Sequence, residues 1–230
     1  FDTRPLAGGP PTARSMIFVT PDGERSMNTY LGACVELGPQ DVEPDKARAA
    51  HVTYFEGYLW DPPRAKEAIR RTAALAHGAG REVSMTLSDP FCVDRYRDEF
   101  LELMRSGTVD IVFANVHEML SLYQTASFDE ALAQIRRDCR LAAVTRSEKG
   151  SIIVRGEETV TVEPLPIRAL VDTTGAGDLY AAGFLHGYTQ GRSLKDCGDL
   201  GSLAAGLAIQ QFGPRPRNNL RSAAEQAGLL

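Results

Sequence analysis

Residues 172–178 read Asp-Thr-Thr-Gly-Ala-Gly-Asp, between a strand predicted at 169–171 and a helix predicted from Asp178 to Tyr188. Two glycines let the backbone turn sharply and approach a ligand with no Cβ in the way. Unpaired amides at a helix start, with the positive end of the helix dipole, bind a phosphate group. Asp178 lies on the first helical turn, where its carboxylate can accept the proton of an attacking hydroxyl group. The run therefore indicates phosphoryl transfer; the alternative is a capped, glycine-rich helix entry without a ligand.

From Pro44 onward the chain alternates between strand-like and helix-like segments. This alternation is typical of a parallel sheet with helices on both faces. The predicted strands are 51–55, 82–86, 109–113, 141–145 and 169–171, with an antiparallel pair at 150–154 and 159–162. The predicted helices are 62–77, 93–105, 117–123, 128–138, 178–188, 194–211 and 219–227.

A β-hairpin is predicted before this alternation begins. Strand-like runs at 16–20 and 25–30 flank Pro21-Asp22-Gly23-Glu24, in which proline presets φ and glycine leaves it free. Side chains in the second run alternate in character, which predicts one covered face and one partly wet face. We therefore expect one α/β domain over residues 1–230, with a hairpin at 15–31 projecting as a lid.

Composition and charge limit the classes of function. The chain has 230 residues, 43% of them hydrophobic and 24% charged, as in an ordinary globular domain. A net charge of −5 without a clustered basic face gives no reason to expect nucleic-acid binding. No apolar run approaches the roughly 20 residues of a membrane span, and no secretory signal is expected. The scattered cysteines and histidines argue against structural zinc and favour a reduced, cytoplasmic protein.

Two further segments accompany the glycine loop. Asn115-Val116-His117-Glu118 follows a predicted strand, and residues 144–150 read Val-Thr-Arg-Ser-Glu-Lys-Gly. With the heptapeptide and the following Ala182-Gly183-Phe184, these segments resemble the motifs of the ribokinase-like (PfkB) family of carbohydrate and nucleoside kinases. Ser147 replaces a glycine common in that family's nucleotide loop. The resemblance covers nearly the whole chain and implies a ribokinase-like three-layer α/β/α sandwich with a small β-lid.

The resemblance implies a catalytic role for the glycine loop. Asp178 would be the base, and the amides of Gly175, Ala176 and Gly177 would stabilise the transferring phosphoryl group. Asn115 and Glu118 would hold magnesium, partly through water, as suits a hard and strongly hydrated ion. Taken without the family, Asn115 is an ordinary helix N-cap.

Other residues receive ligand roles from the same resemblance. The residues expected to contact ATP are Asn115, Thr145, Arg146, Ser147, Gly150, Thr174 and Gly177. Arg25, Asn28 and Tyr58 are expected to contact the acceptor, although an aromatic residue at a strand end is often part of the core. Asp172 and Thr174 are expected to hold a monovalent cation such as K⁺; the alternative is that Asp172 only satisfies the amides of its turn.

The implied reaction is ATP-dependent phosphorylation of a hydroxymethyl group on a nucleoside or sugar. Residues 27–33, 56–59 and 87–91 look most like the bacterial adenosine-kinase-type branch, so adenosine is the first-choice acceptor. The alternatives are a sugar kinase acting on ribose, fructose or a keto-deoxy sugar acid, and a non-catalytic nucleotide-binding remnant.

The beginning of the chain carries a further expectation. It starts at Phe1-Asp2-Thr3-Arg4, without an initiator methionine, so we expect it to lack the N-terminal part of the family fold. In the family, that part holds an early Asp that binds substrate hydroxyls and much of the lid. For such a chain we expect either a monomer or a homodimer formed through the lid.

Overall fold

The computed structural model describes residues 5–230, so the expectation about the chain start at Phe1–Arg4 lies outside the described residues. Two sheets are present: a hairpin of β1 (Arg14–Val19) and β2 (Arg25–Tyr30), and a six-stranded sheet in the order β3-β4-β5-β6-β7-β8. The strands of the larger sheet are β3 (Val52–Glu56), β4 (Glu82–Thr86), β5 (Ile111–Asn115), β6 (Leu141–Thr145), β7 (Ser151–Arg155) and β8 (Glu158–Val162).

Strands β3 to β6 run parallel, and β7 and β8 extend the same sheet in antiparallel fashion. Only Gly156 and Glu157 join β7 to β8, and so short a connection can link only antiparallel strands. Eight α-helices lie among the described residues: α1 (Pro44–Ala49), α2 (Pro63–Gly78), α3 (Pro90–Arg105), α4 (Val116–Tyr123), α5 (Phe128–Asp138), α6 (Ala176–Thr189), α7 (Leu194–Ala208) and α8 (Leu220–Gln226).

The helices cover both faces of the sheet, because the buried strands are apolar on both sides. On β5, Val112 and Ala114 belong to the core cluster that includes residues of α2 to α5. Ile111 and Phe113 belong to the cluster on the other side, with α6 and α7. Phe113 meets Phe184 of α6 edge to face at 5.4 Å between ring centroids. The expected three-layer α/β/α sandwich is confirmed.

Two sequence predictions about local structure are wrong. Residues 169–171 form no strand; instead the amide of Val171 donates to the carbonyl of Ile209 at 2.8 Å, just beyond the end of α7. The hairpin does not cover one face: β2 is exposed along its whole length, and Met27 is 52% exposed. Among residues 5–230, no helix is long and apolar enough to cross a membrane.

Candidate active site

Polar residues that end or follow the parallel strands lie at one edge of the sheet, among them the predicted Asn115 and Thr145. Parallel strands end at a common edge, where open α/β sheets bind their ligands. Glu56 ends β3, Asp89 follows β4, Asn115 ends β5 and Thr145 ends β6. Asn115 and Thr145 are direct neighbours in the register of β5 and β6. Four loops and their polar side chains therefore lie at the same edge.

Helix α6 starts on the glycine loop in an unusual way. Its N-cap is Gly175, with φ of +80° and no side-chain cap. A Cβ at this position would lie 2.6 Å from Cβ of Pro214, so only glycine fits without strain. The amide of Ala176 donates to the carbonyl of Thr173 at 3.2 Å. Within residues 5–230, the amides of Gly175, Gly177 and Asp178 have no acceptor. The predicted donors were the amides of Gly175, Ala176 and Gly177, so the prediction is wrong for Ala176, whose amide is already bonded.

Asp178 is exposed on the first turn of α6, and its carboxylate accepts no hydrogen bond from the described residues. Its negative charge acts on Glu56, the last residue of β3. Burial raises the pKa of Glu56, and the negative charge of Asp178 adds to that rise, while hydrogen bonds from Tyr54 and Ser88 oppose it. The Tyr54 hydroxyl donates to Glu56 Oε1 at 2.6 Å. Asp178 and Glu56 are thus close enough to interact.

Asp172 clamps the glycine loop to the segment after α7. Its carboxylate accepts from the amide of Thr174 at 2.9 Å, from the Thr174 hydroxyl at 2.5 Å and from the amide of Gly213 at 2.8 Å. Burial alone would raise the pKa of Asp172, but the hydrogen bonds from Thr174 and Gly213 and the charge of Arg25 lower it below its usual value. The turn-satisfying role is therefore present, and the Thr174 hydroxyl is directed at Asp172.

Asn115 and Glu118 form a reciprocal capping box at the start of α4. The Asn115 side-chain oxygen accepts from the Glu118 amide at 3.0 Å, and the Glu118 carboxylate accepts from the Asn115 amide at 2.9 Å. Burial raises the pKa of Glu118 to about 7; the bond from the Asn115 amide opposes the rise, and the charges of Asp89 and Glu56 add to it. The helix-cap interpretation of Asn115 is correct, and Glu118 is the residue that completes it.

Residues 145–150 form a tight turn after β6. The amide of Arg146 donates to the carbonyl of Gly150 at 2.7 Å, and that of Gly150 donates to Ser147 at 3.1 Å. Ser147 has φ of +52°, in a region of backbone conformation that favours glycine. This conformation explains why glycine is common at this position of the nucleotide loop in the family that the chain resembles. A Cβ at Gly150 would lie 1.9 Å from the carbonyl oxygen of Val162, so the fold itself requires this glycine. Nε of Arg146 is buried without a hydrogen-bond partner among the described residues.

The three predicted acceptor residues are only partly brought together. Arg25 donates from Nη1 to the Thr173 hydroxyl at 2.9 Å, beside the glycine loop. Asn28 pairs with Met16, and because side chains alternate along a strand it lies on the hairpin face opposite to Arg25. Tyr58 is 49% exposed, so it is not a core residue; its hydroxyl donates to the carbonyl of Ser88 at 3.4 Å.

Three residues at this edge escaped the sequence analysis. Phe91 is 78% exposed directly after Pro90, near the Ser88–Asp89 segment that Tyr58 contacts. The sequence signal that could have identified it is an aromatic residue just after a predicted strand, at the edge where ligands bind. Thr173 contacts the hairpin 150 residues away, and no local pattern indicates that pairing. Glu56 received no predicted role, although an acidic residue at the end of a strand is itself a signal.

Comparisons with known proteins show which family the chain resembles. The family model "pfkB family carbohydrate kinase" matches residues 5–220. The structure of adenosine kinase from Sinorhizobium meliloti is 69% identical, with a TM-score of 0.97, over 99% of this chain and 69% of that one. A "probable sugar kinase protein" from Rhizobium etli CFN 42 is also 69% identical, with a TM-score of 0.98, over 100% of this chain and 69% of that one.

A curated relative extends the similarity to a distant organism. Adenosine kinase from Saccharomyces cerevisiae is 30% identical over an alignment of 205 residues, and the match covers 83% of this chain. The chain spans 59% of the length of that relative.

Proposed function

The chain belongs to the pfkB family of carbohydrate kinases, and we propose that it transfers the γ-phosphoryl group of ATP to a hydroxymethyl group of a nucleoside, with adenosine preferred. The observation that carries the proposal is the start of α6, where the exposed carboxylate of Asp178 adjoins amides that have no acceptor within residues 5–230. The similarity to adenosine kinases of Sinorhizobium meliloti and Saccharomyces cerevisiae supports the choice of acceptor.

The proposed chemistry uses two kinds of group on α6. The Asp178 carboxylate accepts the proton of the acceptor hydroxyl while the hydroxyl oxygen bonds to the γ-phosphorus of ATP. The bond from that phosphorus to the bridging oxygen breaks, and ADP leaves. The amides of Gly177 and Asp178 donate to the equatorial oxygens of the group in transfer, and the Gly175 amide is the third candidate donor. Positioned donors and a positioned base are most of what phosphoryl transfer requires of a protein. Ala176 would act through its backbone only if its bond to Thr173 opened.

Magnesium fits this edge as a hydrated ion. Both Glu118 oxygens accept from Asn115, and among residues 5–230 no group of three acidic, histidine or cysteine side chains could enclose a metal. Burial and the charges of Asp89 and Glu56 raise the pKa of Glu118, and a nearby cation would oppose that rise. Asn115 and Glu118 would hold the ion through its waters, and the bound ion would offset the charge of the triphosphate.

ATP is proposed to lie along the turn after β6. Thr145, Arg146, Ser147 and Gly150 would contact it, with Thr174 and Gly177 at the phosphates. Because both the hydroxyl and the amide of Thr174 donate to Asp172, Thr174 would bond a phosphate only if one of these bonds opened. Nε of Arg146 is buried without a hydrogen-bond partner among the described residues, so a ligand that accepted a hydrogen bond from it would remove the cost of leaving it unpaired.

A nucleoside suits the acceptor side better than a free sugar. Tyr58 and Phe91 expose aromatic rings beside the same segment, and base–aromatic stacking contributes about 1–3 kcal/mol per base. Of the residues predicted to contact the acceptor, Arg25 is the one whose side chain bonds the glycine loop, through the Thr173 hydroxyl. A free sugar has no base to stack, so the rings would add little to its binding.

An acceptor panel tests the proposal. ADP release would be measured with adenosine, other nucleosides, ribose, fructose and a keto-deoxy sugar acid. We expect the highest kcat/KM with adenosine, and Phe91→Ala to raise the KM for adenosine about tenfold or more while leaving any turnover of ribose unchanged. Preference for a sugar would favour the alternative that the similarity to the Rhizobium etli protein supports. No turnover of any acceptor would favour a nucleotide-binding remnant.

Three finer properties complete the proposal. K⁺ is proposed as an activator at Asp172 and Thr174, with carbonyls of 209–213. Replacement of KCl by choline chloride in the activity assay tests this proposal.

A homodimer through the hairpin is proposed from the exposed side chains of Met16 and Phe18, and a monomer mass by light scattering would contradict it. The compartment is proposed to be the cytoplasm, where the four free cysteines stay reduced.

A further inference from the structure

Thr173 connects the hairpin to the sheet domain. Its amide and its hydroxyl both donate to the carbonyl of Gly23 at 3.1 Å. The same hydroxyl accepts from Arg25 Nη1 at 2.9 Å. A hydroxyl offers one donor and two acceptor sites, so Thr173 bonds the turn and the charged side chain at the same time.

The remainder of the hairpin has little hold on the domain. Within residues 5–230, the hydrogen bonds that residues 14–30 make with the chain beyond them all end on Thr173. The tip is also seated by packing: a Cβ at Gly23 would lie 2.8 Å from Cγ of Leu170. Because β2 is exposed throughout, its orientation depends on the bonds to Thr173 and on the contact of the turn with Leu170.

Thr173 is bonded to the start of α6 as well. Its carbonyl accepts from the amide of Ala176 at 3.2 Å. Its neighbours Asp172 and Thr174 are bonded to each other and, through Gly213, to the segment after α7. One residue therefore bonds the hairpin through its amide and hydroxyl and the helix start through its carbonyl.

We propose that Thr173 is a positioning residue that sets Arg25 and the hairpin over the free amides of α6. The proposal rests on the proposed function, in which those amides receive the phosphoryl group. The Thr173 hydroxyl touches neither substrate; it acts by fixing where the guanidinium lies. The charge of Arg25 also reaches Asp172, which draws the hairpin to the same loop.

The test compares Thr173→Val, which keeps the shape and removes the hydroxyl, with Thr173→Ser, which keeps it. We expect Thr173→Val to lower kcat/KM for adenosine about 10-fold to 100-fold, as for the loss of a hydrogen bond to a charged group, with the dissociation constant of ATP little changed. Thr173→Ser should restore most of the activity. If both variants are equally impaired, the hydroxyl is not the positioning group.

A double-mutant cycle separates positioning from general stability. If Thr173 acts through Arg25, the double variant Arg25→Ala/Thr173→Val should be no less active than Arg25→Ala alone. Additive losses would overturn the proposal, because the two residues would then act independently.

Hydrogen exchange supplies a readout that needs no turnover. Thr173→Val should speed exchange of amides in 14–30 and leave those of β3 to β6 unchanged. Unchanged exchange in the hairpin would overturn the attachment. If the wild-type protein phosphorylated no acceptor but the hairpin exchanged faster in the variant, the proposed function would fail while the attachment stood.

Discussion

Helices α4 and α6 begin at the same edge of the sheet but satisfy their first turns in opposite ways. At α4, Asn115 and Glu118 bond one another's backbone amides in a closed capping box. At α6, Gly175 provides no side-chain cap, and the amides of Gly177 and Asp178 have no partner among the described residues. A helix start that the fold has satisfied serves stability, whereas one left open next to a free carboxylate is available to an anion.

Three other long helices strengthen this contrast. Asp89, Ser127 and Ser193 each accept a backbone amide at the starts of α3, α5 and α7. Helices α1 and α2 also begin without a side-chain cap, but each has a proline in its first turn, which has no amide to satisfy. Helix α6 has neither a side-chain cap nor a proline there. Mutations at the two starts should accordingly affect different properties: stability at α4 and turnover at α6.

The largest effect is expected from Asp178→Asn. The variant keeps the size of the side chain and loses the proton acceptor, so kcat should fall about 10²- to 10⁴-fold, as for loss of a general base. The dissociation constant of ATP, from calorimetry, should change little, and the melting temperature should stay the same. Wild-type kcat with any acceptor would remove Asp178 from the role of base.

Gly177→Ala is expected to separate turnover from folding. No atom lies within 4 Å of a Cβ built at Gly177, so the fold has room for a side chain, and alanine should stabilise the helix by up to about 1 kcal/mol. The methyl group would instead occupy the space through which a phosphate approaches, and kcat should fall. Gly175→Ala is the matched control, because there the Cβ meets Pro214 and the free energy of unfolding itself should drop. An active Gly177→Ala variant would contradict the phosphate site.

Glu118 should make stability depend on pH. Its pKa is raised to about 7 in the folded protein from an ordinary 4.5, so the folded state favours the protonated form. The contribution is fully present below pH 4.5 and is lost as the pH rises through about 7. The free energy of unfolding of the wild type should therefore fall by about 3 kcal/mol, relative to Glu118→Gln, between pH 4.5 and pH 8. Urea titrations at both pH values check this, and parallel pH profiles would contradict it.

The smallest effect is expected from Asn115→Ala. Loss of the N-cap should reduce the free energy of unfolding by about 1 kcal/mol, measured by urea titration. Asn115→Ser is the control, since serine can accept the Glu118 amide and should recover most of that loss. An unchanged stability in both variants would show that the capping box contributes nothing measurable to the fold.

The sheet was predictable because its strands are short apolar runs between clear helix patterns. Strands 82–86 and 141–145 have the predicted bounds. Strand 141–145 has apolar residues in the core clusters on both sides of the sheet, whereas the apolar residues of 82–86 belong to one cluster. The apolar run 169–171 has the same local character, but its backbone bonds the end of α7 rather than a strand. The spacing of apolar residues in a sequence indicates which side chains are buried. It does not indicate which backbone groups form hydrogen bonds with each other.

The glycine loop was predictable for a different reason, which is that its residue types allow few other uses. Asp178 and the glycines lie where the heptapeptide places them, at the start of α6. The engagement of the Ala176 amide, and the pairing of Arg25 with Thr173, depend on contacts between distant segments. Such contacts are set by the packing of the whole domain, so local sequence patterns do not reveal them.

One measurement tests the contrast between the two helix starts most directly. In ¹H–¹⁵N spectra, the backbone amides would be followed as ADP, aluminium fluoride and adenosine are added together to mimic the phosphoryl group in transfer. The amides of Gly177 and Asp178 should move downfield, as donors to a newly bound anion, while the Glu118 amide, already bonded to Asn115, should stay in place. Unmoved amides at Gly177 and Asp178 at saturating ligand would contradict the assignment of the α6 start as the phosphoryl site.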